Sequence, residues 1–185
     1  MRASLPISTV PVANDPDPVS GLGDFNVFMA YLLSDPSSPK QFGVGPLLAA
    51  PTATDDALGA DVWQLGAAAV YFNASSPVYQ WGGLLTYQTD VAGDGGPTSL
   101  GVLQPFFFVQ LGKGTYLRMA PLWIFNFEDD SYSVPLGFGI GKIVKSGHTV
   151  FNIFIEPQFT ALHKGAGQPE FQVFAGLNMQ FLPKK

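Results

Sequence analysis

The stretch "FQVFAGLNMQF", Phe171 to Phe181, alternates between two kinds of side chain with a period of two residues. One set is wholly apolar, and the other is polar, small or aromatic: Phe171, Val173, Ala175, Leu177, Met179 and Phe181 against Gln172, Phe174, Gly176, Asn178 and Gln180. Successive side chains of a β-strand point to opposite faces of a sheet. The stretch therefore predicts a strand with one apolar face and one mixed face.

The same alternation recurs along the chain, in "FNIFIEPQFT" (151–160), "YLRMAPLWIFNFE" (116–128) and "WQLGAAAVYF" (63–72). It predicts about ten strands, over 3–12, 23–33, 41–50, 62–72, 78–89, 100–111, 116–127, 132–144, 149–162 and 170–182. Most of these exceed the ~5–6 residues of a typical soluble strand. They are close to the ~9–11 residues that cross a bilayer at a tilt.

The composition excludes several classes of protein. The chain has 185 residues, which suits one domain over 1–185, and it has no cysteine, so disulfides, thiol catalysis and thiolate metal sites are excluded. A net charge of -5 disfavours nucleic acid as a partner. No stretch reaches the ~18 apolar residues of a transmembrane helix. His148 and His163 form no convincing triad with a serine and an aspartate, so we predict no enzyme, no metal site and no cofactor.

The connections between the predicted strands alternate in length. "NASSP", "GKG" and "KSG" are short, whereas "APTATDDALGAD", "TDVAGDGGPTS" and "HKGAGQP" are longer. Outer-membrane barrels have this asymmetry. The pattern predicts an all-β, antiparallel, up-and-down transmembrane β-barrel whose apolar face contacts lipid. A soluble lipocalin-like barrel would instead turn its apolar face inward, but with 12% charged residues the mixed face would be a poor surface in water.

In the membrane interpretation, the mixed face lines a narrow lumen. The candidate lining residues are Arg118, Glu128, Glu156, Gln104, Gln110, Phe106, Phe108, Phe154 and Phe174, and Asp24 has the same parity. Opposite charges on this face should pair, because the interior has a low dielectric constant. Such pairs make either a structural plug or a selectivity constriction. The aromatic and amide side chains favour small apolar or aromatic solutes over ions.

Glycine and proline are prominent within the predicted strands. "GFGIGK" (137–142) resembles a phosphate-binding loop, but no helical pattern follows it. Its glycines are instead expected to make room for other side chains inside the lumen. Five prolines lie within predicted strands, although each lacks a ladder donor: Pro46, Pro105, Pro121, Pro135 and Pro157. Four of them, including Pro121, have lipid-facing parity. Either bulges absorb them, or some strands end earlier than the pattern indicates.

Five blocks of the chain resemble landmarks of a known family, in order and with similar spacing: "SGLGDF" (20–25), "PTATDDALGA" (51–60), "WQLGAAAV" (63–70), "QPFFFVQL" (104–111) and "VPLGFGIGK" (134–142). That family is the MetA-pathway of phenol degradation family of Gram-negative outer-membrane proteins, loosely labelled transporters. The resemblance implies an outer-membrane β-barrel and carries over no catalytic residue. Family members begin with a signal peptide and further strand-like sequence, so we expect twelve strands if an N-terminal hairpin is missing here.

The predicted function is a passive channel or uptake protein in the outer membrane of a Gram-negative bacterium. Its predicted partners are outer-membrane lipid and a small hydrophobic or aromatic solute. The alternatives are a non-transporting structural or adhesive barrel and a soluble ligand-binding barrel.

Overall fold

The computed structural model describes residues 2–10, 17–165 and 169–181, and this part of the chain is built from β-strands and one short 3-10 helix, Asp56–Leu58. The strands are β1 (Arg2–Ser4), β2 (Ile7–Val10), β3 (Val19–Leu22), β4 (Phe25–Phe28), β5 (Tyr31–Leu32), β6 (Lys40–Ala50), β7 (Val62–Asn73), β8 (Tyr79–Gly93), β9 (Ser99–Gly112), β10 (Thr115–Met119), β11 (Trp123–Asn126), β12 (Ser131–Gly137), β13 (Gly139–Ser146), β14 (Thr149–Lys164) and β15 (Phe171–Phe181). The predicted all-β, antiparallel fold is confirmed.

Within the described residues, thirteen of these strands form a single antiparallel sheet. Apart from β2 and β3, which form a separate sheet, successive stretches of the chain lie side by side in the sheet and run antiparallel. Three pairs of short strands each occupy one position across the sheet: β4 with β5, β10 with β11, and β12 with β13. The sheet therefore has ten positions, and its two edges are β1 and β15.

The prediction of one strand over 3–12 is wrong. β1 pairs with β4 in the large sheet, whereas β2 turns away and pairs with β3 in a separate two-stranded sheet. Leu5 and Pro6 interrupt the strand between β1 and β2, and Pro6 O accepts from Gly23 N. Residues 11 and 12 lie outside the described part of the chain.

The strand prolines lie opposite interruptions in the neighbouring strand. Pro46 O accepts from Met29 N, and Met29 and Ala30 separate β4 from β5. Pro157 O accepts from Phe138 N, and Phe138 separates β12 from β13. Each proline lacks the N–H that would donate to the neighbouring strand. At that position the neighbouring strand is interrupted, so no regular ladder bond is lost. Early strand ends thus accommodate these prolines.

A pair of facing prolines causes the third interruption. Leu103 pairs with Trp123 and Phe107 with Met119, so the register places Pro105 opposite Pro121. Neither residue has an N–H, so the hydrogen-bonded pair cannot form, and β10 ends before β11 begins. Pro121 is fully buried in this gap, which corrects its predicted exposure to lipid. Pro135, also fully buried, follows a register shift between β12 and β14, so a bulge accommodates it.

The two faces of the sheet differ sharply in exposure, as β14 shows. Phe154, Glu156 and Gln158 are buried, whereas Ile153 and Phe159 are 53% and 63% exposed. We call the side that carries Glu156 the inner face and the side that carries Ile153 the outer face. The outer face is apolar and exposed along most of the sheet, while the buried charged residues lie on the inner face.

The sheet curls so that distant strands meet across the inner face. Side chains from β1, β4 and β6 line the same cavity as side chains from β8, β9 and β11. In a flat sheet, β1 and β11 would lie six spacings apart, which is roughly 29 Å at ~4.8 Å per strand. A cavity of about 210 Å³ cannot bridge that distance, so the sheet is strongly bent.

No helix in the described residues is long and apolar enough to cross a membrane.

Candidate functional site

A buried ion pair is the centre of the inner face. Arg118 on β10 donates from Nε to Glu156 Oε2 on β14 at 2.6 Å. Arg118 is 8% exposed and Glu156 is 0% exposed. Charges are buried in this way only when they are paired and hydrogen-bonded. The structure therefore brings together two of the predicted lining residues, which the sequence had placed on the same face.

Further hydrogen bonds satisfy the buried carboxylate. Glu156 Oε1 accepts from Ala120 N at 3.0 Å and from Gln158 Nε2 at 2.9 Å. Gln158 Oε1 in turn accepts from Gln172 Nε2 on β15 at 2.7 Å. The network extends from the gap after β10 to the edge strand. A buried polar network that is satisfied in this way holds its strands in one register.

Two aromatic rings cover the guanidinium group of Arg118. Its Cζ lies 3.7 Å from the centroid of the Phe154 ring and 5.5 Å from that of Phe174. The two rings are 5.3 Å apart. A cation held over an aromatic face without water is stabilised by ~2 kcal/mol. Phe154 and Phe174, both predicted to line the lumen, therefore contribute to the ion-pair site.

Glycines on β13, the strand between β10 and β14, allow the Arg118 and Glu156 side chains to pack together. Gly139 pairs with Arg118, and a β-carbon on Gly139 would lie 2.7 Å from Glu156 Cβ. A β-carbon on Gly141 would lie 2.2 Å from Tyr116 Cζ, where the tyrosine crosses β13 to donate to Asn152 Oδ1 at 2.6 Å. Side chains from β10 and β14 thus contact each other across β13, because its glycines have no side chains in the way. The "GFGIGK" glycines thus make room on the inner face, and that this face lines a lumen stays a prediction.

A run of aromatic rings continues from this site across the inner face. Phe108 lies 5.8 Å from both Tyr116 and Phe106, and Phe106 lies 5.9 Å from Phe72. Gly82 separates Phe72 from Phe106 in the register, and its lack of a side chain lets the two rings meet. The three phenylalanines of "PFFFV" therefore divide between the faces. Phe106 and Phe108 join the inner run, while Phe107 is 38% exposed on the outer face.

The two predicted glutamines form separate amide contacts. Gln110 Nε2 donates to Gln80 Oε1 at 3.2 Å beside Phe108. Gln104 Nε2 donates to Ala120 O at 3.1 Å. Gln104 also lines the cavity inside the curled sheet, which we call the curled cavity. A third pair, Gln88 Nε2 to Gln64 Oε1, was not predicted as a site feature. Parity alone could have indicated it, because Gln64 alternates with the apolar Trp63 and Leu65 in the stretch 63–72.

Glu128 does not join the inner cluster. β11 ends at Asn126, and Glu128 is exposed in the following turn, where its N–H donates to Asn126 Oδ1. The period-two pattern has no meaning beyond the end of a strand, which explains the difference from the prediction.

Asp24 takes a structural part instead of an ionic one. Its carboxylate accepts from the backbone N–H groups of Thr52, Ala53 and Ala60 and so holds the long connection between β6 and β7.

The pKa of Asp35 is lowered by hydrogen bonds from the Ser37 side chain and backbone. Asp35 lies in the turn between β5 and β6, away from the ion pair.

The two histidines lie away from the ion pair on the inner face. His148 is exposed in a turn, and His163 is exposed near the end of β14. Among the residues that the structure describes, no group of three histidine, aspartate or glutamate side chains could hold a metal ion. Besides the aliphatic side chains of the cavity, amides, aromatic rings and the Arg118–Glu156 pair lie on this face.

The chain matches no protein-family model, no curated protein and no solved structure. The family resemblance of its sequence landmarks therefore stays a prediction.

Proposed function

We propose that this protein is an outer-membrane β-barrel of a Gram-negative bacterium and that it admits small apolar or aromatic solutes. The observation that carries the proposal is the inverted placement of polarity. Glu156 and Arg118 are buried on one face of the sheet, while large apolar side chains are exposed on the other. A protein surrounded by water would place these groups the other way round.

The exposed apolar residues form rows on adjoining strands. Ile153 and Ile155 on β14 pair with Leu177 and Ala175 on β15, and Ile155 also pairs with Ile140 on β13. An apolar patch much larger than a few hundred Å² marks a surface that contacts lipid or another protein. Lipid suits this one, because the rows continue onto β7 and β8 through Leu65, Trp81 and Leu85.

Strand length and backbone pairing support the same proposal. The uninterrupted strands β6 to β9, β14 and β15 are 11 to 16 residues long. About 9–11 residues suffice to cross the hydrocarbon core. A spanning sheet must also satisfy every backbone group, which requires the curled sheet to close into a barrel. Closure between the positions of β1 and β15 is part of the proposal.

The inner face favours uncharged solutes. Its lining combines the ring run of Phe72, Phe106 and Phe108 with amides from Gln80, Gln104 and Gln110. The Arg118–Glu156 pair carries no net charge and is covered by rings, so it offers little attraction to ions. Bilayer conductance and liposome uptake test the proposal. We expect uptake of a neutral single-ring alcohol above protein-free liposomes, and rates equal to the protein-free control would contradict it.

A non-transporting barrel is the second candidate, and the complete burial of Glu156 favours it. In that case the ion pair and the rings plug the lumen, and the protein acts through its loops. The double variant Arg118→Ala/Glu156→Ala separates the candidates. If the pair only narrows an existing path, its removal should raise flux. If the barrel is plugged elsewhere as well, flux should stay at the background while the fold is retained.

A further inference from the structure

We infer that the curled cavity on the inner face binds one small uncharged molecule that is mostly apolar and carries one hydrogen-bonding group. This inference deepens the proposed function, on which it rests, by naming the class of solute and where it is held. The cavity lies between the N-terminal strands and β8, β9 and β11, beside the aromatic run and apart from the ion pair.

The size of the cavity limits the ligand. Its volume is about 210 Å³. An apolar cavity of ~150 Å³ in another protein is known to bind benzene. The present cavity therefore has room for one six-membered ring with a small substituent.

The walls of the cavity are uncharged. Most are apolar, and the polar ones are hydroxyls and amides: Phe28, Leu47, Leu84, Leu100, Val102, Leu122 and Ile124 with Ser4, Asn26, Thr86, Gln88 and Gln104. Among the residues that the structure describes, no lysine, arginine, aspartate or glutamate lines it. A charged ligand would lose its hydration here and gain no counter-charge, which is strongly unfavourable. The lining thus selects against ions.

Several polar groups at the cavity have hydrogen-bonding capacity to spare. Gln104 uses Nε2 to reach Ala120 O, and Gln88 uses Nε2 to reach Gln64 Oε1. Among the described residues, the Gln104 Oε1, Asn26 amide and Thr86 hydroxyl groups make no hydrogen bond to protein. In the ion-pair network, by contrast, both carboxylate oxygens of Glu156 are used. Free donors and acceptors set in apolar walls are the usual composition of a small-molecule site.

Three probes of matched size test the inference: benzyl alcohol, benzoate and benzylammonium. Binding to the full chain in detergent micelles is followed by ligand-observed NMR. The same measurement on Leu84→Trp, which fills the cavity, supplies the background from partition into micelles. The matched control is Leu85→Trp, because Leu85 is the next residue of β8 and lies on the outer face.

We expect benzyl alcohol to bind at least about tenfold more tightly than either ion, with Leu84→Trp losing this binding and Leu85→Trp keeping it. Thr86→Val keeps the shape of the wall and removes one hydroxyl, so it provides a second readout if Leu84→Trp does not fold. It should weaken benzyl alcohol by about fivefold or less without admitting the ions.

Equal binding of benzoate, or unchanged binding in Leu84→Trp, would overturn the inference. The outcome is distinguishable from failure of the proposed function. Binding without liposome uptake would contradict transport and leave the cavity site standing. Uptake without binding in the cavity would contradict this inference alone.

Discussion

The two faces of strand β14 are built on opposite rules. On the inner face, Phe154, Glu156 and Gln158 are buried and Asn152 and Thr160 at the ends of the row are half-buried, so the row contains a carboxylate and two amides. On the outer face, Ile153, Ile155 and Phe159 are exposed and have no polar neighbour in the same row. One strand thus carries its charge inside and its hydrocarbon outside.

Different interactions stabilise the two faces. Hydrogen bonds and ring contacts fix the inner face, where glycines on β13 and β15 leave space for them. The outer face has ring contacts, such as Phe159 with Phe171, but the ion pair and the amide network lie on the inner face. Changes to the inner network should therefore alter stability in any solvent, whereas the effect of a charge on the outer face should depend mainly on the surrounding lipid.

Breaking the ion pair from one side should have the largest effect. Glu156→Gln leaves the buried Arg118 without a counter-charge, and we expect a loss of about 3–5 kcal/mol in the free energy of unfolding. Urea unfolding of protein refolded in vesicles measures it. The matched control is Asp130→Asn, which breaks the exposed Lys164–Asp130 pair and should cost less than about 1 kcal/mol. Equal losses for the two variants would remove the distinction between the faces.

A charge on the outer face should have the next largest effect, provided that lipid surrounds it. Val173→Arg should cost about 2–4 kcal/mol in a bilayer if the residue lies near mid-membrane. Gln172→Ala on the inner face loses only the hydrogen bond to Gln158 and should cost about 0.5–1.5 kcal/mol. The same unfolding assay compares them, and equal costs would contradict the assignment of the faces.

Two adjacent glycines on β8, Gly82 and Gly83, differ in how closely other atoms surround them. A β-carbon on Gly82 would lie 2.0 Å from Tyr71 O and 2.7 Å from the Phe106 ring, whereas one on Gly83 meets nothing nearer than 3.7 Å. We expect Gly82→Ala to cost about 1–3 kcal/mol through overpacking. Gly83→Ala should change stability by less than about 1 kcal/mol. A tolerated Gly82→Ala would show that the inner face is not closely packed here.

Replacement of a strand proline should have the smallest effect. Pro105→Ala restores an N–H that faces the Pro121 carbonyl, so at most one of the two bonds of this pair can form, because Pro121 still lacks the other donor. We expect a change of less than about 1 kcal/mol in the unfolding free energy. Val109→Pro is the control, since Val109 lies in the intact pairing with Leu117. A marked gain in stability for Pro105→Ala would mean that the proline, not the gap, limits the pairing.

The sequence was sufficient to predict most of the long strands and their two faces. A period of two is a local property, so Arg118, Phe154 and Glu156 could be placed on one face without knowing what they contact. The partners could not be predicted, because Tyr116–Asn152 and Gln158–Gln172 depend on the register between strands. Glu128 was misplaced because parity is undefined once the chain leaves the strand at Asn126.

The interruptions depended on facing residues that are distant in sequence. Pro105 and Pro121 are each tolerable alone at a bulge or an edge. The register sets the two prolines opposite each other, and this explains why the strand is interrupted between β10 and β11.

Gel mobility tests whether lipid surrounds the outer face of a closed barrel. The full chain is refolded into lipid vesicles and run in SDS with and without boiling. Closed outer-membrane barrels resist SDS until they are heated, so we expect the unboiled protein to migrate apart from the boiled one. Identical mobility, together with a stable β-sheet in buffer without detergent, would contradict the proposed membrane barrel and favour a soluble barrel.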